Sequence, residues 1–74
     1  MEANYKIWFD TNSIYLQDKE GKLGYLPLKD YKTLLNASNE ERNQYEFSPF
    51  GIHWANIDED LCFEGFIWEQ SHSI

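Results

Sequence analysis

NYKIWFDTNSIYLQDKEGKLGYLPL, residues 4–28, is the stretch on which the fold turns. In Asn4–Asp10, Tyr5, Ile7 and Phe9 alternate with Lys6, Trp8 and Asp10, the period of two that marks a strand with one buried face. Asp10-Thr11-Asn12-Ser13 gathers turn formers. A second strand over Ile14–Gln17 follows, with Ile14 and Leu16 on one face and Tyr15 on the other. Asp18–Lys22 supplies the next turn, in which Gly21 accepts a positive φ. Leu23–Leu28 returns as a third strand, stopped by Pro27, which has no ladder donor. Short strands joined by tight turns predict a three-stranded antiparallel meander.

Working outward, the spacing changes from two to helical. Leu28, Tyr31, Leu34 and Leu35 fall on one stripe of a short helix whose other positions, Lys29, Asp30 and Lys32, are charged. A second helix starts at Ser38-Asn39-Glu40-Glu41, which fits a capping box: the Ser38 hydroxyl accepts from the Glu41 N–H, and the Glu41 carboxylate reaches back to the Ser38 N–H. Glu40 and Glu41 also suit the positive end of that helix. Tyr45-Glu46-Phe47-Ser48 then alternates up to Pro49, and Gly51-Ile52-His53-Trp54 reads as a strand. Asp58 is placed to N-cap a single helical turn through Leu61, Cys62 and Phe63, with Gly65 ending it. Phe66-Ile67-Trp68 is apolar, and Ser71–Ile74 reads as a frayed tail. The prediction is a small α+β fold: the meander, two short helices and further short strand and turn elements.

At 74 residues the chain is a single domain over 1–74. It is 42% hydrophobic and holds three Trp, five Tyr and five Phe, enough apolar material for a packed core rather than disorder. No apolar run reaches the roughly 20 residues of a membrane span, and Met1–Asp10 lacks a signal-peptide layout, so neither a membrane nor secretion is expected. Cys62 is the single cysteine, which excludes an internal disulfide and suits a reducing cytoplasm. A domain this short buries only about 60% of its unfolded surface. A deep private cavity would therefore drain its core, and a partner or a second copy would add burial.

Thirteen acidic against six basic residues give a net charge of −7, unevenly placed. Residues 1–37 balance, whereas residues 38–74 set Arg42 alone against Glu40, Glu41, Glu46, Asp58, Glu59, Asp60, Glu64 and Glu69. Such a field repels a nucleic-acid backbone and draws basic partners; it also serves as a solvated face that keeps a small protein soluble.

Pro27-Leu28, Leu34-Leu35-Asn36-Ala37, Glu40-Glu41-Arg42, Tyr45, Ser48, Gly51-Ile52-His53-Trp54, Asp58-Glu59-Asp60-Leu61 and Glu64-Gly65 follow one another in an order that resembles a bacterial family, "domain of unknown function" 2442 (DUF2442). Typical members of that family read Pro-Leu, then Leu-Leu-x-Ala-Thr-Pro-Glu-x-Arg, then Gly-Ile-His-Trp-Pro-x-Leu-Asp-Glu-Asp. The resemblance covers nearly the whole chain, and Gly51 to Leu61 is its most specific part. Asn39 and Ala55 stand where the family usually has Pro, and Cys62 where Ser is common. The resemblance implies a small α+β domain with no established catalytic activity. Members are often encoded beside another small protein, and similar domains are sometimes joined to a helix-turn-helix. That company points to modules of toxin–antitoxin type or to small regulators. A chain ending at Ile74 leaves no room for an added DNA-binding domain, so direct nucleic-acid binding is not expected here.

His53, followed by Asp58, Glu59 and Asp60, is the nearest approach to an acid–base group. A His and a carboxylate in contact could move a proton near neutral pH; the same pair could simply fix a loop, and no nucleophile or oxyanion donor is marked beside it. Metal-ligand spacing is missing around His53, Cys62 and His72, and Asp58-Glu59-Asp60 lacks the spaced oxygens of a calcium loop, so neither metal nor cofactor is expected. Between Leu61 and Phe63, Cys62 reads as a buried thiol. Tyr5, Phe9, Phe47, Phe63 and Phe66 suit a core, while Trp8 and Tyr15 point to the other face of the sheet, either as exposed contact residues or beneath the helices. The sequence is therefore read as a non-enzymatic protein-interaction domain, antitoxin-like or regulatory, the acidic partner of a small basic protein. Its interaction residues are Trp8, Tyr15, Glu40, Glu41, Glu46, His53, Trp54, Asp58, Glu59 and Asp60. A structural homodimer, and a small ligand-binding or enzymatic domain centred on His53, are the alternatives.

Overall fold

Alternation in the N-terminal third becomes strand pairing. In the computed structural model, which describes residues 5–69, β1 (Lys6–Phe9), β2 (Ser13–Gln17) and β3 (Leu23–Pro27) form the antiparallel meander. The tail expected over residues 71–74 lies outside the described residues. The Asp10 carboxylate shapes the first turn by accepting from the N–H groups of Asn12 and Ser13, both at 2.8 Å. Asp18 shapes the second, accepting from Glu20 and Lys22 at 2.9 Å, with Gly21 at φ +87°, a conformation that an L side chain resists.

The helical stripe divides. Leu28–Asp30 is a 3-10 turn and α1 is only Lys32–Leu35, because Tyr31 between them takes φ −133°, ψ 73°. The Leu28 N–H donates to the Asn12 carbonyl at 2.8 Å and ties this turn to the first hairpin. Leu28 and Leu34 are fully buried, as their stripe requires, while Leu35 stays exposed. α2 (Asn39–Arg42) carries the predicted capping box: Ser38 Oγ accepts from the Glu41 N–H at 3.1 Å, and the Glu41 carboxylate accepts from the Ser38 N–H at 2.9 Å. Arg42 then reaches back to α1, donating to the carbonyls of Leu34 (3.0 Å) and Leu35 (3.2 Å), with its guanidinium 4.6 Å from the Phe9 ring centre.

A second antiparallel sheet follows, β4 (Glu46–Phe47), β5 (Gly51–Trp54) and β6 (Glu59–Cys62), in the order β4-β5-β6. Here one expectation is corrected. Asp58 does not cap a helix; it sits at φ 56° as the last residue of the turn from Ala55 that returns the chain from Trp54 to Glu59. Leu61 alternates with Asp60 and Cys62 as a strand residue, and the 3-10 turn is confined to Phe63–Gly65. The short apolar run satisfied both periods, and pairing with β5 decides for the strand. β7 (Ile67–Trp68) adds to β3, completing a four-stranded sheet β1-β2-β3-β7.

The buried sides of both sheets feed one core: Ile14, Leu16 and Leu26 from the first, Ile52, Trp54 and Leu61 from the second, with Leu28, Leu34 and Phe66. Each sheet therefore turns its other face away from its neighbour. Two glycines allow close approach. A Cβ on Gly51 would lie 2.0 Å from the Leu61 carbonyl oxygen, and one on Gly24 would lie 2.9 Å from the Trp68 ring.

Candidate functional site

Across the four-stranded sheet the register sets Trp8 opposite Tyr15, Tyr15 opposite Tyr25, and Tyr25 opposite Ile67. These side chains form one transverse row on the outer face, since Ile7, Phe9, Ile14, Leu16, Gly24, Leu26 and Trp68 occupy the inner one. Trp8 stacks on Tyr15 with ring centres 5.6 Å apart and planes 15° from parallel, and Tyr15 tilts toward Tyr25 at 6.5 Å. Nothing in the described chain lies over this row: Trp8, Tyr25 and Ile67 are 40%, 43% and 49% exposed. Of the two fates expected for Trp8 and Tyr15, burial beneath the helices does not occur, because α1 and α2 pack at the inner layer. Tyr15 is further fixed by its hydroxyl, which donates to the Asp10 carboxylate at 2.8 Å. That bond, with the N–H groups of Asn12 and Ser13, holds the Asp10 carboxyl below its ordinary pKa; in return it raises the Tyr15 phenol.

The second sheet carries the other titratable set. Its register aligns Glu46, His53 and Asp60 in one row on the outer face, and His53 Nδ1 pairs with the Asp60 carboxylate. Glu46 and Asp60 are exposed, and Asp58 is exposed in the adjoining turn, while Glu59 lies half-buried at the strand start. Cys62 is exposed on this side rather than buried, because β6 alternates and gives its inner position to Leu61. Among the described residues no three His, Cys, Asp or Glu side chains are arranged to hold a metal ion, and no helix is long and apolar enough to cross a membrane.

Residues grouped by sequence thus separate in space. Trp8 and Tyr15 share one outer face; Glu46, His53 and Asp60 share the other. Glu40 is exposed on α2, whereas the Glu41 carboxylate is engaged in the capping box. Trp54 must be withdrawn from any contact surface. It is fully buried on the inner face of β5, with Nε1 donating to the Arg42 carbonyl at 3.0 Å. Tyr25 and Ile67 were not singled out by sequence. The first was within reach, since Gly24 and Leu26 point inward and Tyr25 must then point out; the second depends on β7 pairing with β3, which no local pattern shows. Phe50, at the tip of the Ser48–Gly51 turn, is 78% exposed and equally unheralded.

A family model described as "Protein of unknown function (DUF2442)" matches residues 5–70 of the 74. The chain belongs to this family. Neither the curated proteins nor the solved structures offer a match to it. The most specific block of the family pattern, Gly51 to Leu61, now has a structural reason: it writes the β5–β6 hairpin. Gly51 admits the β6 backbone, Ile52, Trp54 and Leu61 fill the core, Asp58 takes the left-handed turn position, and His53 and Asp60 face each other across the strands.

Proposed function

We propose that the chain is a protein-interaction domain that receives a small basic protein on the outer face of its four-stranded sheet, as the acidic partner in a two-component module of antitoxin type. The observation that carries this reading is the open row Trp8–Tyr15–Tyr25–Ile67. Adjacent, partly desolvated aromatic side chains on a rigid support are the kind of surface in which binding energy concentrates. The net charge of −7 supplies long-range attraction for a basic partner, with Glu40, Glu46, Asp58 and Asp60 acting on approach and orientation rather than in the contact itself. The reading assigns no catalysis to this chain: His53 and Asp60 serve as a cross-strand pair. It places the protein in the cytoplasm, where Cys62 stays a free thiol.

The test begins with capture of the tagged protein from its source cells, followed by titration of the recovered partner against purified wild type, Trp8→Ala and Tyr25→Ala. Each variant should weaken binding by about 2 kcal/mol, roughly thirtyfold, with little change in melting temperature. Glu46→Lys should slow association at low salt and leave dissociation nearly unchanged. A partner that is not basic, or one bound equally well by Trp8→Ala, would overturn the reading.

A further inference from the structure

We propose that β1 is a self-complementary edge and that two copies of the chain pair through it, antiparallel and centred on Trp8. β1 is an outermost strand of its sheet. The Asp10 N–H donates to the Ser13 carbonyl, so by antiparallel alternation Lys6, Trp8 and Asp10 aim their backbone groups at β2, whereas Ile7 and Phe9 aim theirs outward. Among the described residues no hydrogen bond meets those outward groups. The edge opens instead on a groove of about 340 Å³ between β1 and α2, bounded by Asn39, Arg42 and Tyr45. Unpaired strand edges of this kind are templates for another strand.

The sequence of the strand selects its own copy as occupant and sets the register. Antiparallel pairing about a two-fold axis places residues symmetrically around the central one. Centred on Trp8, it sets Trp8 against Trp8 of the second copy, Ile7 against Phe9, and Lys6 against Asp10 on both sides. The outward N–H and C=O groups of Ile7 and Phe9 then meet in hydrogen-bonded pairs, and the two Trp8 fall at the non-hydrogen-bonded position, where side chains come closest. Opposite charges facing each other across strands are favourable. Moving the centre to Ile7 sets Lys6 against Trp8, and moving it to Phe9 sets Asp10 against Trp8, so either shift forfeits both charge pairs. The product is a continuous eight-stranded sheet whose two aromatic rows run into one. This inference stands apart from the docking reading: a monomer could receive a partner, and a dimer could receive none.

Sedimentation of the full chain over a wide concentration range should show a monomer–dimer equilibrium. Lys6→Glu should raise the dissociation constant roughly tenfold or more by replacing two attractive pairs with two repulsive ones. Ile7→Pro should do the same by removing an outward donor and no β1–β2 bond, and Tyr25→Ala on the flat of the sheet should change nothing. In a Cys62→Ser background, Trp8→Cys should oxidise to an interchain disulfide, because non-hydrogen-bonded partners lie about 4.5 Å apart at Cα, within disulfide reach. Lys6→Cys in the same background should not. Circular dichroism melts confirm that each variant is folded. A chain that stays monomeric throughout, a dimer indifferent to Lys6→Glu and Ile7→Pro, or cross-linking of Lys6→Cys instead of Trp8→Cys would overturn the proposal.

Discussion

Replacing Gly51 with Ala tests the packing argument most sharply, because the obstacle is backbone. The new Cβ would sit 2.0 Å from the Leu61 carbonyl oxygen and 2.8 Å from the Cys62 Cα, neither of which can rotate aside. Restoring ordinary contact demands that β6 move by more than an ångström from β5. That displacement strains the β5–β6 ladder and the bond from the Phe63 N–H to the Phe50 carbonyl, 2.9 Å long. One or two lost backbone bonds at about 1 kcal/mol each, added to an overpacking cost of about 1–3 kcal/mol, give about 2–5 kcal/mol. A single core of this size supplies no more than about 3–5 kcal/mol, so Gly51→Ala should lose much or all of the domain's stability. Gly24→Ala is the internal control. Its Cβ meets the Trp68 ring at 2.9–3.1 Å, and a side chain can yield, at the expense of the 2.9 Å bond from Trp68 Nε1 to the Phe63 carbonyl. The expected cost is about 1–2 kcal/mol, a fall of about 1–2 M in the urea midpoint at a slope of about 1 kcal/mol/M, the low end that suits so small a domain. Urea titration followed by tryptophan fluorescence reads both. A Gly51→Ala protein within 0.5 kcal/mol of wild type (roughly the scatter of neutral surface changes), or one more stable than Gly24→Ala, would refute the reasoning.

Asn39 is the first residue of α2, its N–H has no hydrogen bond among the described residues, and Ser38 before it is already extended at φ −76°, ψ 167°. Asn39→Pro, the residue usual in the family, should therefore stabilise the domain by about 0.4–1 kcal/mol, seen as a melting temperature several degrees higher. The lowered Asp10 carboxyl contributes stability that is present above its unfolded pKa near 3.8 and lost as pH falls through the folded value. The raised Tyr15 phenol contributes stability present below 10.0 and lost as pH rises through its folded value. Asp10→Asn should flatten the acid limb of a urea-midpoint profile between neutrality and pH 3. Arg42→Ala should cost about 1–3 kcal/mol through the loss of both α1 carbonyl partners and the contact with Phe9, and Arg42→Lys should recover only part of it, both read by thermal melting.

The meander, both of its turns and the capping box were legible because each rests on neighbours in sequence: alternation in Tyr5–Asp10, Asx turns at Asp10 and Asp18, and the Ser38–Glu41 reciprocity. What failed depended on partners distant along the chain. Glu59–Cys62 is a strand only because β5 lies beside it, which also exposes Cys62. The aromatic row was half legible: Trp8 and Tyr15 follow from alternation, but joining them to Tyr25 and Ile67 requires a register across four strands. Trp54 misled because an aromatic residue beside His53 and ahead of Asp58-Glu59-Asp60 resembles a contact residue until its face is known. The charge asymmetry survives folding in altered form. Lys6–Pro27 build β1–β3 and only β7 of the second half joins that sheet, so Glu46 and Asp60 lie on the second sheet rather than beside the aromatic row.

The Tyr15 ring has one further consequence. It is clamped between the Trp8 indole and the Asp10 carboxylate before anything binds, so contact there freezes no rotor that was free. Phe50, almost wholly in solvent, would surrender its rotational freedom to any contact made through it, about 0.5–1.5 kcal/mol for such a side chain. Two aromatic residues of similar area thus differ in the entropy of association. Recognition through the sheet should carry a smaller unfavourable conformational-entropy component in calorimetry than recognition through the loop tip.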